Sequence, residues 1–261
     1  MKHMRGVKSI TNEMADYKEL ARQARIKVLE MIHRGQTSHI ASNFSVIDIA
    51  TVLYENLKEG DEVVWSAGWK AATIYYFLAK QGKIRYEDLD KFPNPPYLGL
   101  AEPSVDGVWV SGGSMGHGLP VAVGMALGKK KAGEKGTIFC IMSDGEMQEG
   151  TTWEAAQVAQ HHKLDNLVVL VDYNKWCAMG RTNEVCDLEP FEKRWRGFNW
   201  GAVRIDGHNH EVLERAMYIA NNHGFSPLVI ICDTVKGRGV SFMENHPLYH
   251  YKNVSDEEFI K

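Results

Sequence analysis

The chain has 261 residues, of which 44% are hydrophobic, so it is long enough to bury a large core as one α/β domain. Its net charge of -3 excludes broad electrostatic attraction to nucleic acid or to an anionic membrane, and any phosphate binding must come from a local site. The four cysteines form no CxxC pair, which argues against a zinc ribbon or a redox dithiol. Because we find neither a signal-peptide pattern nor an apolar run of membrane-spanning length, we expect a cytoplasmic protein.

Helical patterns dominate the first half of the chain. Apolar residues recur at helical spacing over 13–34, 45–57 and 68–82, and a short strand is predicted at 61–66. The proline-dense segment 91–106 is typical of an irregular loop. After it, the sequence VWVSGGSMGHGLPVAVGMALG predicts a strand at 108–110, a glycine-rich turn and a helix that Pro120 opens.

Strands and helices alternate in the second half. Strands are predicted at 137–142, 166–173, 200–206 and 226–234, and helices at 151–164 and 210–222. The first two of these strands are continuous apolar runs, a pattern that indicates burial on both faces of a parallel sheet. The sequence therefore predicts a doubly wound parallel sheet with helices on both faces, whose ligand lies beyond the carboxyl ends of the strands.

The segment MSDGEMQEG, residues 142–150, places three carboxylates and two glycines where a predicted buried strand ends. Asp144 follows that strand and Asn174 follows the next parallel strand, so both side chains should meet at one edge of the sheet. Carboxylate and amide oxygens form the kind of site that Mg²⁺ prefers, and Gly145 lets main-chain N–H groups approach a diphosphate. The pattern favours a magnesium diphosphate ligand; the alternative is that these are ordinary turn and capping residues.

The stretch from Ser143 to Trp176 resembles the thiamine-diphosphate motif of transketolases, and the resemblance covers most of the chain. It implies a thiamine-diphosphate-binding fold of the pyrophosphate-binding type. It also implies that Asp144, Asn174 and the main-chain carbonyl of Trp176 coordinate Mg²⁺, or Ca²⁺ or Mn²⁺ in its place. Ser143 replaces the family's first glycine, and together with Gly145 it would lie against the diphosphate.

Two further blocks resemble the same family. In the glycine-rich turn, Gly113 and Met115 match positions that hold the thiazole and aminopyrimidine region of the cofactor, and His117 occupies a slot that is glutamine or histidine in relatives. In DTVKGRGVSFMENHPLYHYKN, Lys236 matches a phosphate-neighbouring lysine and His250 matches an active-site histidine. These matches imply cofactor contacts along three separate segments.

The resemblance also implies catalytic and assembly roles. His39, His117 and His250 are candidates for proton transfer and oxygen stabilisation. Glu149 matches a glutamate that meets its counterpart across a chain interface. We expect residues 1–261 to form one cofactor-binding domain, active with a separate C-terminal subunit that carries the pyrimidine-binding domain, in a homodimer or an α2β2 assembly.

The chain departs from the family at two positions in the substrate region. Trp69 and, in the closest register, Leu100 stand where relatives carry histidines. Replacing imidazoles with apolar groups would leave buried hydroxyls of a sugar unpaired. We therefore expect a sugar-phosphate-like donor that is less hydroxylated, or one that carries a different anionic end near Lys70, or else weak ordinary transketolase activity.

Three functions remain open from the sequence. The leading hypothesis is a transferase subunit that moves a two-carbon ketol unit, or a related acyl-anion unit, from a ketose-type donor to an aldehyde. The alternative is a non-catalytic assembly subunit that retains the fold and the cofactor site. A third, an unrelated Mg²⁺-dependent phosphate enzyme using Asp144 and Glu149, gives no account of the block around Lys236 and His250. The glutamine-rich motif of the 2-oxo acid dehydrogenase α-subunits is absent.

Overall fold

A five-stranded parallel sheet forms the centre of the protein in a computed structural model that describes residues 16–222, 224 and 226–261. The predicted start of the first helix, at 13–15, lies outside the described residues. The strand order is β1-β2-β3-β5-β4. The strands are β1 (Glu62–Trp65), β2 (Ile138–Ser143), β3 (Leu167–Tyr173), β4 (Gly201–Asp206) and β5 (Leu228–Asp233).

Helices connect the strands and cover the sheet. They are α1 (Tyr17–Gly35), α2 (Ile40–Ser45), α3 (Ile47–Glu55), α4 (Ala71–Lys80), α5 (Gly118–Ala132), α6 (Gly150–His161), α7 (Thr182–Val185), α8 (Phe191–Gly197), α9 (His210–Ala220) and α10 (Asp256–Ile260). Short 3-10 helices lie at Tyr86–Lys91, Gly145–Gln148 and Pro247–His250. In the described part of the chain, no helix is both long and apolar enough to cross a membrane.

Two hydrophobic cores lie on opposite faces of the sheet. Phe139 and Ile141 of β2 point into a core that contains residues of α1, α3, α4 and α9. Ile138 and Cys140 of the same strand point into a second core with α5, α6 and α8. Every residue of β2 and β3 is buried, as the continuous apolar runs predict. The doubly covered parallel sheet is therefore confirmed.

The predicted strand at 108–110 is wrong. The structure places these residues in a loop, where the N–H of Val108 donates to the carbonyl of Val105 in a turn. The short apolar run VWV is not aligned with a neighbouring strand, and its hydrogen bonds are local. The predicted helix at 45–57 is confirmed as α3, Ile47–Glu55, and the separate short helix α2 ends just before it at Ser45.

The loop after β1 and the loop before α5 cross at a pair of glycines, Gly68 and Gly112. A Cβ built on Gly68 would lie 2.2 Å from the Cα of Gly112, so neither loop has room for a side chain at the crossing. Ala101 lies between them: its N–H donates to the carbonyl of Gly68 at 3.0 Å, and its carbonyl accepts from the N–H of Gly112 at 2.6 Å. This crossing fixes the loop after β1 against the glycine-rich turn before α5.

Candidate active site

A cavity of about 330 Å³ lies at the carboxyl ends of the strands. Eight residues predicted from the sequence line it: His39, Gly113, Met115, Ser143, Gly145, Asn174, Trp176 and His250. They come from the loops after β2 and β3, the glycine-rich turn, the start of α2 and the 3-10 helix at Pro247–His250. The structure thus brings together segments that are more than 200 residues apart in the chain.

Asp144 and Asn174 are neighbours because β2 and β3 are paired in parallel. Ser143 is aligned with Asp172 in the strand register, so β2 and β3 end at the same edge of the sheet. The loop after β3 then wraps against Asp144, whose Oδ2 accepts from the N–H of Lys175 at 2.6 Å. The arrangement expected from two adjacent parallel strand ends is present.

The carboxylate of Asp144 is fully buried and bonded only to main-chain N–H groups. Besides the bond from Lys175, it accepts from the N–H of Gly145 at 3.0 Å. Burial raises the pKa of Asp144 to about 7, and the nearby carboxylate of Asp172 adds to this effect. No lysine or arginine in the described ranges forms an ion pair with it. A divalent cation would supply the missing positive charge, so the site fits the predicted metal.

The amide of Asn174 is oriented by its neighbours. Its Nδ2 donates to Ser45 Oγ and to Asp172 Oδ2, both at 3.3 Å. Its Oδ1 therefore points away from Ser45 and Asp172 and accepts from the N–H of Trp176 at 3.1 Å. The second lone pair of this oxygen could bind a cation. Among the described residues no group of three or more His, Cys, Asp or Glu could hold a metal. A metal here depends on one carboxylate together with amide and carbonyl oxygens.

A buried network around Asp172 was not predicted from the sequence. Lys70, Ser45 and Thr234 all donate hydrogen bonds to this carboxylate, and Lys70 and Asp172 are both fully buried. Burial alone would raise the pKa of Asp172, but the ion pair with Lys70 and the hydroxyl donors hold it below its ordinary value. Lys70 lines the cavity, and its ammonium is paired with Asp172; its expected role beside an anionic substrate end stays a prediction. A charged residue within the run VVLVDY was the signal for this network.

Two histidines and a buried lysine form a second polar group at the cavity. The Nζ of Lys236 lies 2.7 Å from His250 Nδ1, and the rings of His39 and His250 are 5.0 Å apart. Burial and the charge of Lys236 lower the pKa of His39 to about 4 and that of His250 to about 3. Burial also lowers the pKa of Lys236 to about 8. Both imidazoles are therefore neutral at pH 7.

The remaining predicted residues divide into two groups. Trp69 and Leu100 line the cavity, as their alignment with substrate-region histidines suggested. His117 and Glu149 do not: they occupy the N-cap positions of α5 and α6, and neither side chain makes a capping hydrogen bond. The sequence predicts no role for Glu146. Its side chain is fully buried, and it follows the cavity-lining Gly145 in the chain.

Comparison with known proteins supports the same assignment. Residues 17–261 match the family described as the thiamine diphosphate binding domain of transketolase. The chain is 33% identical to the 6-deoxy-6-sulfo-D-fructose transketolase subunit SqwG of Clostridium sp. (strain MSTE9), covering 95% of each chain. It is 30% identical to an apulose-4-phosphate transketolase subunit of Phocaeicola vulgatus, covering 90% of this chain and 88% of that one.

Solved structures show the same fold. The transketolase of Campylobacter jejuni superposes with a TM-score of 0.87 at 28% identity, covering 93% of this chain and 41% of the other. The transketolase of Leishmania mexicana, with a TM-score of 0.88 at 22% identity, supports the fold alone. The chain thus corresponds to about two fifths of these larger enzymes and to nearly the whole length of the relatives named as subunits.

Proposed function

The chain belongs to the transketolase family, and we propose that it is the thiamine-diphosphate- and Mg²⁺-binding subunit of a two-component transketolase. It would transfer a two-carbon ketol unit from a ketose-type donor to an aldehyde acceptor, together with a subunit that carries the pyrimidine-binding domain. The observation that carries the proposal is the fully buried carboxylate of Asp144, which has no cationic partner among the described residues and lies between the cavity-lining residues Ser143 and Gly145 in the chain.

The described residues suit the predicted cofactor. Thiamine diphosphate supplies the carbanion chemistry when it is bound. Asp144, Asn174 and the carbonyl of Trp176 would hold the metal, which needs hard oxygen ligands. Ser143 and Gly145 line the cavity beside them.

His39 and His250 are the groups that would exchange protons with substrate oxygens. In each ring Nδ1 already has a neighbour within hydrogen-bond distance: Ser38 Oγ at 2.7 Å for His39, and Lys236 Nζ at 2.7 Å for His250. Nε2 is therefore the nitrogen left to face a substrate. Because both pKa values are lowered, these nitrogens act as neutral donors or acceptors across the physiological range.

We propose that the donor is less hydroxylated than an ordinary ketose phosphate. Trp69 and Leu100 make one wall of the cavity apolar, and the ammonium of Lys70 is paired with Asp172. A site of this kind penalises hydroxyls that lose their hydrogen bonds on binding. Turnover of a panel of ketose phosphates by the two-subunit enzyme measures the preference. Full activity on xylulose 5-phosphate would contradict it.

The metal site is tested by calorimetric titration of Mg²⁺ and thiamine diphosphate into the protein, in isolation and with its partner subunit. Outer-shell partners of metal ligands contribute about 10- to 100-fold in metal affinity, so Asp144→Asn, which removes a direct ligand, should weaken binding by at least about 100-fold. Chelation of Mg²⁺ should abolish binding by the wild type.

Asp206→Asn is the control. Asp206 ends the parallel strand β4 and accepts from a following main-chain N–H, that of His208 at 2.9 Å. Unlike the fully buried Asp144 at the end of β2, Asp206 is exposed. This variant should bind the cofactor as the wild type does. Equal binding by Asp144→Asn would disprove the metal site. Absence of binding by the wild type in the presence of the partner would favour the non-catalytic assembly role.

A further inference from the structure

Glu146 lies in the 3-10 helix that follows β2, and its side chain is fully buried. Its Oε1 accepts from Ser66 Oγ and from the N–H of Gly116 at 3.1 Å. Its Oε2 accepts from the N–H of Ser143 at 2.8 Å and from the hydroxyl of the same residue at 3.3 Å. A single carboxylate thus receives hydrogen bonds from three separate segments of the chain.

These segments are the end of β1, the glycine-rich turn before α5 and the end of β2. The connection extends one step further, because Ser66 Oγ also accepts from the N–H of Gly118 at 3.0 Å. Two residues of the turn, Gly116 and Gly118, are therefore tied to Glu146, one directly and one through Ser66. Such a satisfied buried network holds its members in one arrangement.

We propose that Glu146 is a positioning residue that clamps the glycine-rich turn, residues 112–118, onto the strand ends beside the cavity. The turn contributes Gly113 and Met115 to the cavity, and the segment after β2 contributes Ser143 and Gly145. The expected effect on thiamine diphosphate rests on the proposed function. The clamp itself is a property of the chain without any ligand.

The clamp needs a carboxylate and not merely a polar group of the same size. Every group that faces Glu146 is a donor: two hydroxyls and two main-chain N–H groups. A glutamine at this position would direct its NH₂ group either at the N–H of Gly116 or at the N–H of Ser143. In both orientations one buried main-chain donor loses its acceptor.

The backbone of the turn makes this contact specific. Gly116 has a φ of +76°, a conformation that L side chains rarely adopt, and a Cβ there would lie 2.6 Å from Thr151 Oγ1. Thr151 Oγ1 in turn donates to the carbonyl of Gly116 at 3.3 Å. The Gly116 residue is therefore held by α6 on its carbonyl side and by Glu146 on its N–H side.

Amide hydrogen exchange of the full chain, without cofactor, tests the clamp in the Glu146→Gln variant. We expect the amides of 112–118 to exchange at least about tenfold faster than in the wild type, the change expected when one buried hydrogen-bond partner is lost. Thiamine diphosphate affinity at saturating Mg²⁺ should fall by a similar factor.

Asp48→Asn serves as the control for general destabilisation. Asp48 is also a buried carboxylate that gathers several partners, Arg25, His208 and His210, but none of these residues lines the cavity. This variant should lower the melting temperature without selective opening of 112–118. Equal exchange in 112–118 for Glu146→Gln and the wild type, or equal opening in both variants, would overturn the proposal.

Ser66→Ala provides a milder test should Glu146→Gln fold poorly. This substitution removes one hydrogen-bond donor to Glu146 and the acceptor of the Gly118 N–H. The rate of amide exchange should therefore increase at residues 117–118, and by a smaller factor at residue 116. Unchanged exchange there would count against the clamp. If Glu146→Gln opens the turn but the wild type with its partner binds no thiamine diphosphate, the clamp stands and the proposed function fails.

Discussion

Three buried aspartates show why Asp144 is different. Asp172 is paired with Lys70, and Asp48 is paired with Arg25. Burial alone would raise the pKa of each of these two carboxyl groups, but their charged and hydrogen-bonding partners hold the pKa below its ordinary value. Asp144 has only main-chain donors, and its pKa is raised to about 7. Asp48 and Asp172 are therefore each compensated by a basic side chain, whereas Asp144 is not, and this difference supports the proposed metal site at Asp144.

The Nζ of Lys236 lies 2.7 Å from Nδ1 of His250 and influences the pKa of this imidazole. Burial lowers the pKa of His250 to about 3, and the positive charge of Lys236 contributes to that shift. In Lys236→Met we expect the pKa of His250 to rise but to stay below the ordinary 6.5, because burial remains. The Cε1–H resonance of His250, assigned with His250→Gln, measures the shift between pH 3 and pH 8.

The sign of the pH effect on stability follows from the same shift. The folded pKa of His250 lies below its unfolded value, so the unfolded chain takes up a proton first as the pH falls. Stability is full above about pH 6.5 and decreases toward pH 3, and this decrease should be smaller in Lys236→Met. Lys252→Met is the control, since this nearby lysine is paired with Glu258 instead. An unchanged His250 titration in Lys236→Met would contradict the prediction.

At the scale of secondary-structure elements, the loop crossing at Gly68 and Gly112 positions the loops that carry the cavity-lining residues Trp69 and Gly113. Gly68→Ala would force a Cβ to within 2.2 Å of the Gly112 backbone, which cannot rotate away as a side chain could. Overpacking costs about 1–3 kcal/mol, and we expect the upper end here, measured by urea unfolding. The loop shift should also weaken thiamine diphosphate binding, because Trp69 and Gly113 flank the crossing.

A helical glycine without close neighbours gives the control. Gly124 lies inside α5, and a Cβ there would meet nothing within 4 Å. Gly124→Ala should therefore stabilise the protein by about 0.5–1 kcal/mol through the lower backbone entropy of its unfolded chain. Similar free energies of unfolding for the two alanine variants would show that the crossing is looser than the structure indicates.

The sequence predicts helices and strands well where a hydrophobic pattern extends over many residues, and poorly where the pattern covers only a few residues. The buried strands β2 and β3 and the meeting of Asp144 with Asn174 follow from apolar runs and parallel topology. The false strand at 108–110 was a three-residue pattern that turn hydrogen bonds override. The pairing of Lys70 with Asp172 and that of Ser66 with Glu146 were not predicted, because the partners are 102 and 80 residues apart in the chain. Such partners are brought close only by the tertiary fold.

At the scale of the whole molecule, the chain matches relatives of two lengths. It covers 95% of the SqwG subunit but only 41% of the Campylobacter jejuni transketolase. Met115 of the turn at 112–118 and Leu100, which lies beside Gly113, line the cavity and are 37% and 40% exposed. Apolar side chains exposed beside a candidate active site are typical of a surface that another chain or domain covers.

We predict that activity requires a second polypeptide with the pyrimidine-binding domain. The purified chain alone should show no ketol transfer, because the described residues that line the cavity include neutral histidines but no Asp or Glu that could exchange a proton with the cofactor's ring. Adding the partner should restore turnover in proportion to the complex formed, measured by coupled assay and by size-exclusion light scattering. A partner added with the Asp144→Asn chain should form the same complex without activity. Turnover by the isolated chain would show that the partner is dispensable.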